Sequence, residues 1–192
     1  MKNALRVDPR IRRGCDGEML DTLKQLLGRQ YEASLSALNL AIVQCPEPAW
    51  DRPVANLKFC QVAFHVLFFA DVYLQPGDDV KTFRCQPFHI NHTGDFRDYE
   101  EMEDRQQVLI YEKTFVQEYL NYVRHKAQET ISRESAEILV GPSGFHWRKC
   151  SRAELHVYNI RHIQHHAAQL SLRLRIDANI DVPWVSHAWK DA

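Results

Sequence analysis

The sequence predicts an all-α protein built as a four-helix bundle. Apolar residues recur at steps of three and four over long segments, no segment shows a convincing strand-like alternation, and proline or glycine separates the segments. The chain has 192 residues, enough for one domain with a sizeable core. We therefore expect residues 1–192 to form a single helical domain whose apolar faces pack on one another.

The first predicted helix covers residues 17 to 44. Apolar residues recur there at steps of three and four, from Met19 to Ile42, and mark one face of an amphipathic helix. Pro46 and Pro48 follow, and we expect them to end the helix.

The second predicted helix begins at Asp51 and runs to about Leu74. Pro53 falls in its first turn, where the missing backbone N–H does no harm. The segment VAFHVLFFADVYL is apolar on several sides, so this helix should be the most buried. Its 13 residues are too few to cross a bilayer, which takes about 20. Pro76-Gly77 stops the helix.

A long irregular segment, residues 77–100, separates the second predicted helix from the third. Its length suggests a long crossover between helices 2 and 3, and we expect it to gate any site. The third helix is predicted over residues 102–132. The fourth begins near Ser151, where Ser151 and Glu154 form a capping box, and runs to about Ile176.

Charge and cysteine content exclude several classes of protein. The 24 basic and 25 acidic residues nearly balance, so we expect no nucleic-acid partner and no membrane surface. The five cysteines are odd in number and show no CxxC spacing, unlike a disulfide framework or a cysteine zinc site. The first residues contain no long apolar run, so we expect no signal peptide and a cytoplasmic protein.

Three histidines lie within RHIQHHAAQL on the fourth predicted helix. A helix turns about 100 degrees per residue, so His162 and His166 can point at a common atom, whereas His165 lies to the side. Zinc proteins use this spacing repeatedly. Asn159 and Gln169 fall on the same stripe and could orient a ligand or substrate.

His65 lies among apolar residues of the second predicted helix. A buried neutral imidazole needs a partner, because an unpaired polar group costs about 1–3 kcal/mol. A metal shared with a facing helix would supply one, as in other bundles. The plain alternative is that His65 is a satisfied core residue and that His162 and His166 belong to a solvated face.

Several other residues could contribute to a site or to a contact between subunits. No general base is identified, although Asp71 and Glu154 are possible, and the tail with Trp184 and Trp189 would cover a pocket or form a dimer contact. The remaining histidines are expected to be exposed or to form surface hydrogen bonds, namely His89, His92, His125, His146, His156 and His187.

Residues 159–170, NIRHIQHHAAQL, resemble the HxxHHxxQ signature of the DinB-like (YfiT-like) superfamily of metal-dependent enzymes. The resemblance implies that the first and last histidines of the signature, His162 and His166, bind a divalent metal. The family's third ligand is a histidine of the second helix, where this chain has His65. Many relatives have glycine where this chain has Ala168, and alanine also allows close helix packing.

The resemblance also implies what the site would bind. Three neutral histidines leave a metal ion with a position for water or substrate, which is typical of catalytic sites. We expect one divalent ion (zinc, nickel or iron), a small-molecule substrate, a low-molecular-weight thiol as in some relatives, and a homodimer.

Two functions remain open on this basis. The first is a metal-dependent enzyme, either a thiol-dependent transferase or a hydrolase. The alternative is a non-catalytic metal-binding stress-response module with the same ligands. A di-iron carboxylate bundle is disfavoured, because no glutamate has a histidine three residues later.

Overall fold

The computed structural model describes residues 9–54, 57–79, 83, 88 and 110–189. Most of these residues are helical, which confirms the predicted all-α class. The elements are α1 (Pro9–Gln44), α2 (Glu47–Trp50), β1 (Pro53–Val54), β2 (Leu57–Lys58), α3 (Phe59–Leu74), α4 (Lys113–Arg133), α5 (Ala136–Val140) and α6 (Arg152–Ala178).

The four long helices pack in a ring in which α1 and α3 each lie against both α4 and α6. Helices α3 and α6 are antiparallel. Arg152, at the beginning of α6, donates hydrogen bonds to the carbonyl oxygens of Tyr73 and Gln75 at the end of α3. The ring of His65, in the first half of α3, lies against the ring of His162, in the middle of α6. The first half of α3 therefore faces the middle of α6.

Helices α3 and α4 run in the same direction. Phe64, early in α3, stacks on Phe115, early in α4, whereas Asp71, late in α3, pairs with Lys126, late in α4. The end of α3 and the beginning of α4 therefore lie at opposite ends of the pair, the relation that the predicted crossover requires. Most of the connecting segment lies outside the described residues.

Helix α3 is the buried centre of the fold, as predicted. All of its residues, from Phe59 to Leu74, are buried, including the polar side chains of Gln61, His65 and Asp71. Polar groups at such positions need partners within the protein. Across the described ranges, neither α3 nor any other helix is long and apolar enough to cross a membrane.

The predicted beginning of the second helix at Asp51 is wrong. Residues 53–54 and 57–58 pair as two short antiparallel strands, and the helix begins only at Phe59. The backbone N–H of Lys58 donates to the side-chain oxygen of Gln61 at 2.9 Å, which satisfies a free donor at the helix start. The proline that suggested a first helical turn belongs to the first strand instead.

The other predicted boundaries are nearer to the observed ones. Helix α1 begins at Pro9, well before residue 17. Helix α4 begins at Lys113, and the predicted start at residue 102 lies outside the described residues. Helix α6 begins after Ser151, whose hydroxyl accepts from the backbone N–H of Glu154 at 3.2 Å, as the capping box predicts.

Candidate metal centre

Three histidines from two antiparallel helices meet in the interior. His65 of α3 and His162 and His166 of α6 each offer one ring nitrogen, and these nitrogens lie within 4.8 Å of one another. The ring centroids are 4.7 to 5.3 Å apart. The structure thus brings together the three residues that the sequence selected. The group could hold a metal ion.

The spacing of two of these nitrogens fits a shared ion better than a hydrogen bond. Nε2 of His65 and Nε2 of His162 are 3.4 Å apart. An N–H donor and its acceptor prefer about 2.9–3.0 Å. Two imidazole nitrogens at about 2.0–2.1 Å from one tetrahedral zinc ion would be roughly 3.3–3.4 Å apart. The three imidazoles and the spacing of this pair therefore suit a divalent metal.

Two of the three imidazoles, those of His162 and His166, have lowered pKa values. Burial, followed by the nearby rings of His65 and His166, lowers the pKa of His162 to about 2. Burial also lowers the pKa of His166. Both rings are consequently neutral at neutral pH and keep a nitrogen lone pair for coordination.

Gln169 fixes the orientation of His166 from behind. Its side-chain oxygen lies 2.7 Å from Nδ1 of His166. Because a carbonyl oxygen only accepts, Nδ1 of His166 must carry the proton, and Nε2 carries the lone pair. Gln169 also donates to Nε2 of the exposed His165 at 3.1 Å. Such partners behind metal-binding histidines hold the ring and its tautomer.

The hydrogen bond of the Asn159 amide nitrogen goes to the backbone of α3, and a role in orienting a ligand or substrate stays a prediction. Its side chain is fully buried, and its amide nitrogen donates to the carbonyl oxygen of Ala70 at 3.0 Å. This hydrogen bond links α6 to the backbone of α3 one turn before His162.

A cavity of about 390 Å³ opens beside the three histidines. This volume lies in the range of small-molecule pockets, about 300–1,000 Å³. The cavity runs between the two helices, because residues one turn apart on each helix line it. Besides the histidines, the lining residues are Phe69, Tyr73, Trp147, Arg148 and Tyr158.

Arg148 is the cationic side chain of this lining. It precedes α6, and its Nη2 donates to the hydroxyls of Tyr73 at 3.1 Å and Tyr158 at 2.6 Å. Its guanidinium lies over the ring of Tyr158, 4.3 Å from the ring centroid. Burial is the main cause that raises the pKa of Tyr73 to about 12, so Tyr73 keeps its proton at neutral pH.

The sequence reasoning missed these lining residues, although some left a signal. Phe69 and Tyr73 follow His65 by one and two helical turns, and Tyr158 precedes His162 by one turn. Arg148 left none, because a single arginine in a non-helical segment has no periodicity to mark it.

The two carboxylates named as possible bases lie away from the cavity. Asp71 is fully buried and accepts from the hydroxyl of Tyr119 at 3.0 Å and from Lys126. Glu154 is exposed in the first turn of α6. Neither residue lines the cavity.

The prediction for His156 is wrong. This histidine is fully buried, donates from Nε2 to Glu134 at 2.9 Å and shares a hydrogen bond between Nδ1 and the hydroxyl of Tyr31 at 3.1 Å. His89 and His92 lie outside the described residues. Three histidines are exposed, as predicted, namely His125, His146 and His187.

The described residues of the tail do not line the cavity. Trp184 is 78% exposed, and Trp189 packs on Arg124 of α4 with 3.9 Å between the guanidinium carbon and the ring centroid. Val185 packs against α1. Neither tryptophan lines the cavity, so that part of the prediction is wrong, whereas a dimer contact stays a prediction.

The gating role expected for residues 77–100 falls mostly outside the described residues. Phe83 packs edge-on against Phe68, and Phe88 stacks on Tyr119 at 4.5 Å between ring centroids. These two residues lie against α3 and α4 and do not line the cavity, so the gate stays a prediction.

Comparison of the chain with protein-family models, with curated proteins and with solved structures finds no match. The fold and the site define an all-α protein with a three-histidine group that could hold a metal ion.

Proposed function

We propose that the protein is a metal-dependent enzyme that holds one divalent ion between His65, His162 and His166. The observation that carries the proposal is the convergence of three imidazoles beside a cavity large enough for a small molecule. Structural zinc sites use four protein ligands, whereas catalytic sites use three and keep a position for water or substrate. Among the described residues, the metal-binding group comprises these three histidines alone.

A divalent ion held there would lower the pKa of a bound water or thiol, the chemistry of hydrolases and of thiol-dependent transferases. Zinc, nickel and iron all suit three imidazoles. The chain's own residues prepare the site. Burial keeps His162 neutral. The side-chain oxygen of Gln169 accepts from Nδ1 of His166, so the lone pair of that ring is on Nε2. Phe69 packs against the rings of His65 and His162.

We also assign the chain to the DinB-like (YfiT-like) superfamily. The HxxHHxxQ string, the histidine on α3 and the parallel α3 and α4 support this assignment. With it come a long crossover between α3 and α4, a cytoplasmic homodimer, a small-molecule substrate and a low-molecular-weight thiol. A polynucleotide partner is not part of the proposal, because charge is balanced.

The competing function is a metal-binding stress-response module without catalysis. It would need the three histidines but no space beside them. The cavity of about 390 Å³ favours the enzyme, because a reacting molecule needs to reach the ion. Screening the metal-loaded protein for hydrolysis of activated esters and for thiol conjugation tests this choice. Turnover that follows metal content supports the enzyme.

Elemental analysis of the purified, untagged protein tests the metal site. The wild type should contain about one equivalent of metal, and the triple variant His65→Ala, His162→Ala, His166→Ala should contain none while staying helical. A second triple variant is the matched control, because it removes three exposed histidines elsewhere: His125→Ala, His146→Ala and His187→Ala. A wild type without metal, even after reconstitution with zinc, nickel and iron, would contradict the proposal.

A further inference from the structure

The cavity has two chemically different ends. On α3, Tyr73 lies eight residues after His65, roughly 12 Å further along the helix. On α6, Tyr158 lies four residues before His162, roughly 6 Å away. Since Arg148 bonds both tyrosine hydroxyls, its guanidinium marks the end of the cavity away from the histidines.

The guanidinium of Arg148 is held in place. Two hydroxyls accept from the same nitrogen, and the ring of Tyr158 lies beneath the guanidinium. Tyr73 and Tyr158 pack edge to face, with ring centroids 5.4 Å apart, so the two hydroxyls cannot easily move independently. An arginine fixed in this way presents its planar donors in a set direction, which reduces the entropy lost on binding.

The lining of the cavity is positive overall. Among the described residues, it contains three histidines, four aromatic residues and Arg148, and no aspartate or glutamate. A divalent ion at the histidines would add to this charge. A partly enclosed cavity with one sign of charge concentrates ligands of the opposite sign. The ligand expected here is an anion with a short apolar part, which would lie against the aromatic walls.

We propose that the cavity binds a small organic carboxylate, whose carboxylate group pairs with Arg148 while a second donor atom of the same molecule faces His65, His162 and His166. This inference rests on the proposed metal site. A guanidinium matches the two oxygens of a planar carboxylate. A phosphate site typically gathers several cations or backbone N–H groups. In the part of the chain that the structure describes, this lining contains neither a lysine nor a second arginine.

Two matched probes on the cobalt(II)-loaded protein test the inference. 3-Mercaptopropionate and 1-propanethiol have the same chain length, and in both a thiolate bound to cobalt gives a charge-transfer absorption band. Only the first carries a carboxylate. The wild type should bind 3-mercaptopropionate about 10- to 100-fold more tightly, the ratio expected for hydrogen bonds to a charged group.

Variants then assign the preference to a residue. In Arg148→Gln the ratio of the two affinities should fall to about one, and in Arg148→Lys it should be intermediate, because charge remains without the planar fork. Lys149→Gln is the matched control: it removes a positive charge at the adjacent, exposed position, which does not line the cavity, and should leave the ratio unchanged. Cobalt content and circular dichroism establish that each variant is folded.

The outcomes separate this inference from the metal site. Equal wild-type affinities for both thiols, with the cobalt band present, would overturn the carboxylate inference and leave the metal site standing. This comparison needs no variant. A ratio unchanged in a folded Arg148→Gln variant, or equal or tighter binding of 2-mercaptoethanesulfonate, would also overturn it. Failure to load cobalt would overturn the metal site and the inference together.

Discussion

Replacing Gln169 by leucine should weaken metal binding although Gln169 is not a ligand. The change removes the acceptor 2.7 Å from Nδ1 of His166, so the ring no longer favours the tautomer with its lone pair on Nε2. Partners of this kind contribute about 10- to 100-fold to metal affinity. Gln169 is exposed, which puts the expected loss at the low end, about tenfold or 1.4 kcal/mol.

Competition with a chromogenic zinc chelator measures this change in the dissociation constant for zinc. Gln164→Leu is the control, because Gln164 lies on the same helix but points away from the cavity and does not line it. Gln169→Glu keeps an acceptor and should bind zinc at least as tightly as the wild type. If Gln169→Leu binds zinc within twofold of the wild type, the reasoning about the tautomer of His166 is refuted.

Three further predictions concern stability. Zinc at about 100 times its dissociation constant should stabilise the protein by about 2.7 kcal/mol. In differential scanning fluorimetry this should raise Tm by roughly 5–10 °C. The triple alanine variant of His65, His162 and His166 should show no shift of Tm. Glu134→Leu should destabilise the protein by about 3–5 kcal/mol in urea unfolding, because it leaves the buried Arg152 without its carboxylate. Burial alone would raise the pKa of Glu134, but the hydrogen bond from His156 and the charges of His156 and Arg152 hold it below its usual value of 4.5. Because its folded-state pKa lies below the unfolded one, Glu134 stabilises the protein above pH 4.5 and loses that effect as the pH falls further. The difference in unfolding free energy between the wild type and Glu134→Leu should therefore shrink below pH 4.5. A difference that does not depend on pH would contradict this reasoning. Tyr119→Phe should lower the free energy of unfolding by about 1.5–3 kcal/mol, because it removes a hydrogen bond to the buried carboxylate of Asp71. An unchanged free energy of unfolding would show that the bond contributes nothing.

The sequence predicted the features that depend on local periodicity. Helix α6 and its cap at Ser151 follow from residues near one another in the chain. The facing of His162 and His166 follows from helical geometry. His65 could be selected because a histidine within an apolar helix needs a partner, and the antiparallel packing of α3 and α6 brings its ring to His162 and His166.

Other features could not be predicted, because they depend on residues far apart in the chain. His156 is buried because Tyr31 and Glu134, from two other parts of the fold, take both of its ring nitrogens. The late start of α3 depends on the pairing of β1 with β2, and the first residue of β1, Pro53, suits a helical first turn equally well. Arg148 gains its place only when Tyr73 and Tyr158 come together.

X-ray absorption at the zinc edge of the loaded wild-type protein tests the central claim most directly. The proposed site predicts three imidazole nitrogens at about 2.0–2.1 Å and one further oxygen that a small thiol can replace. The sulfur that replaces it would appear at about 2.3 Å. Fewer than three imidazoles, or four protein ligands that no added thiol displaces, would contradict an open three-histidine site formed by His65, His162 and His166.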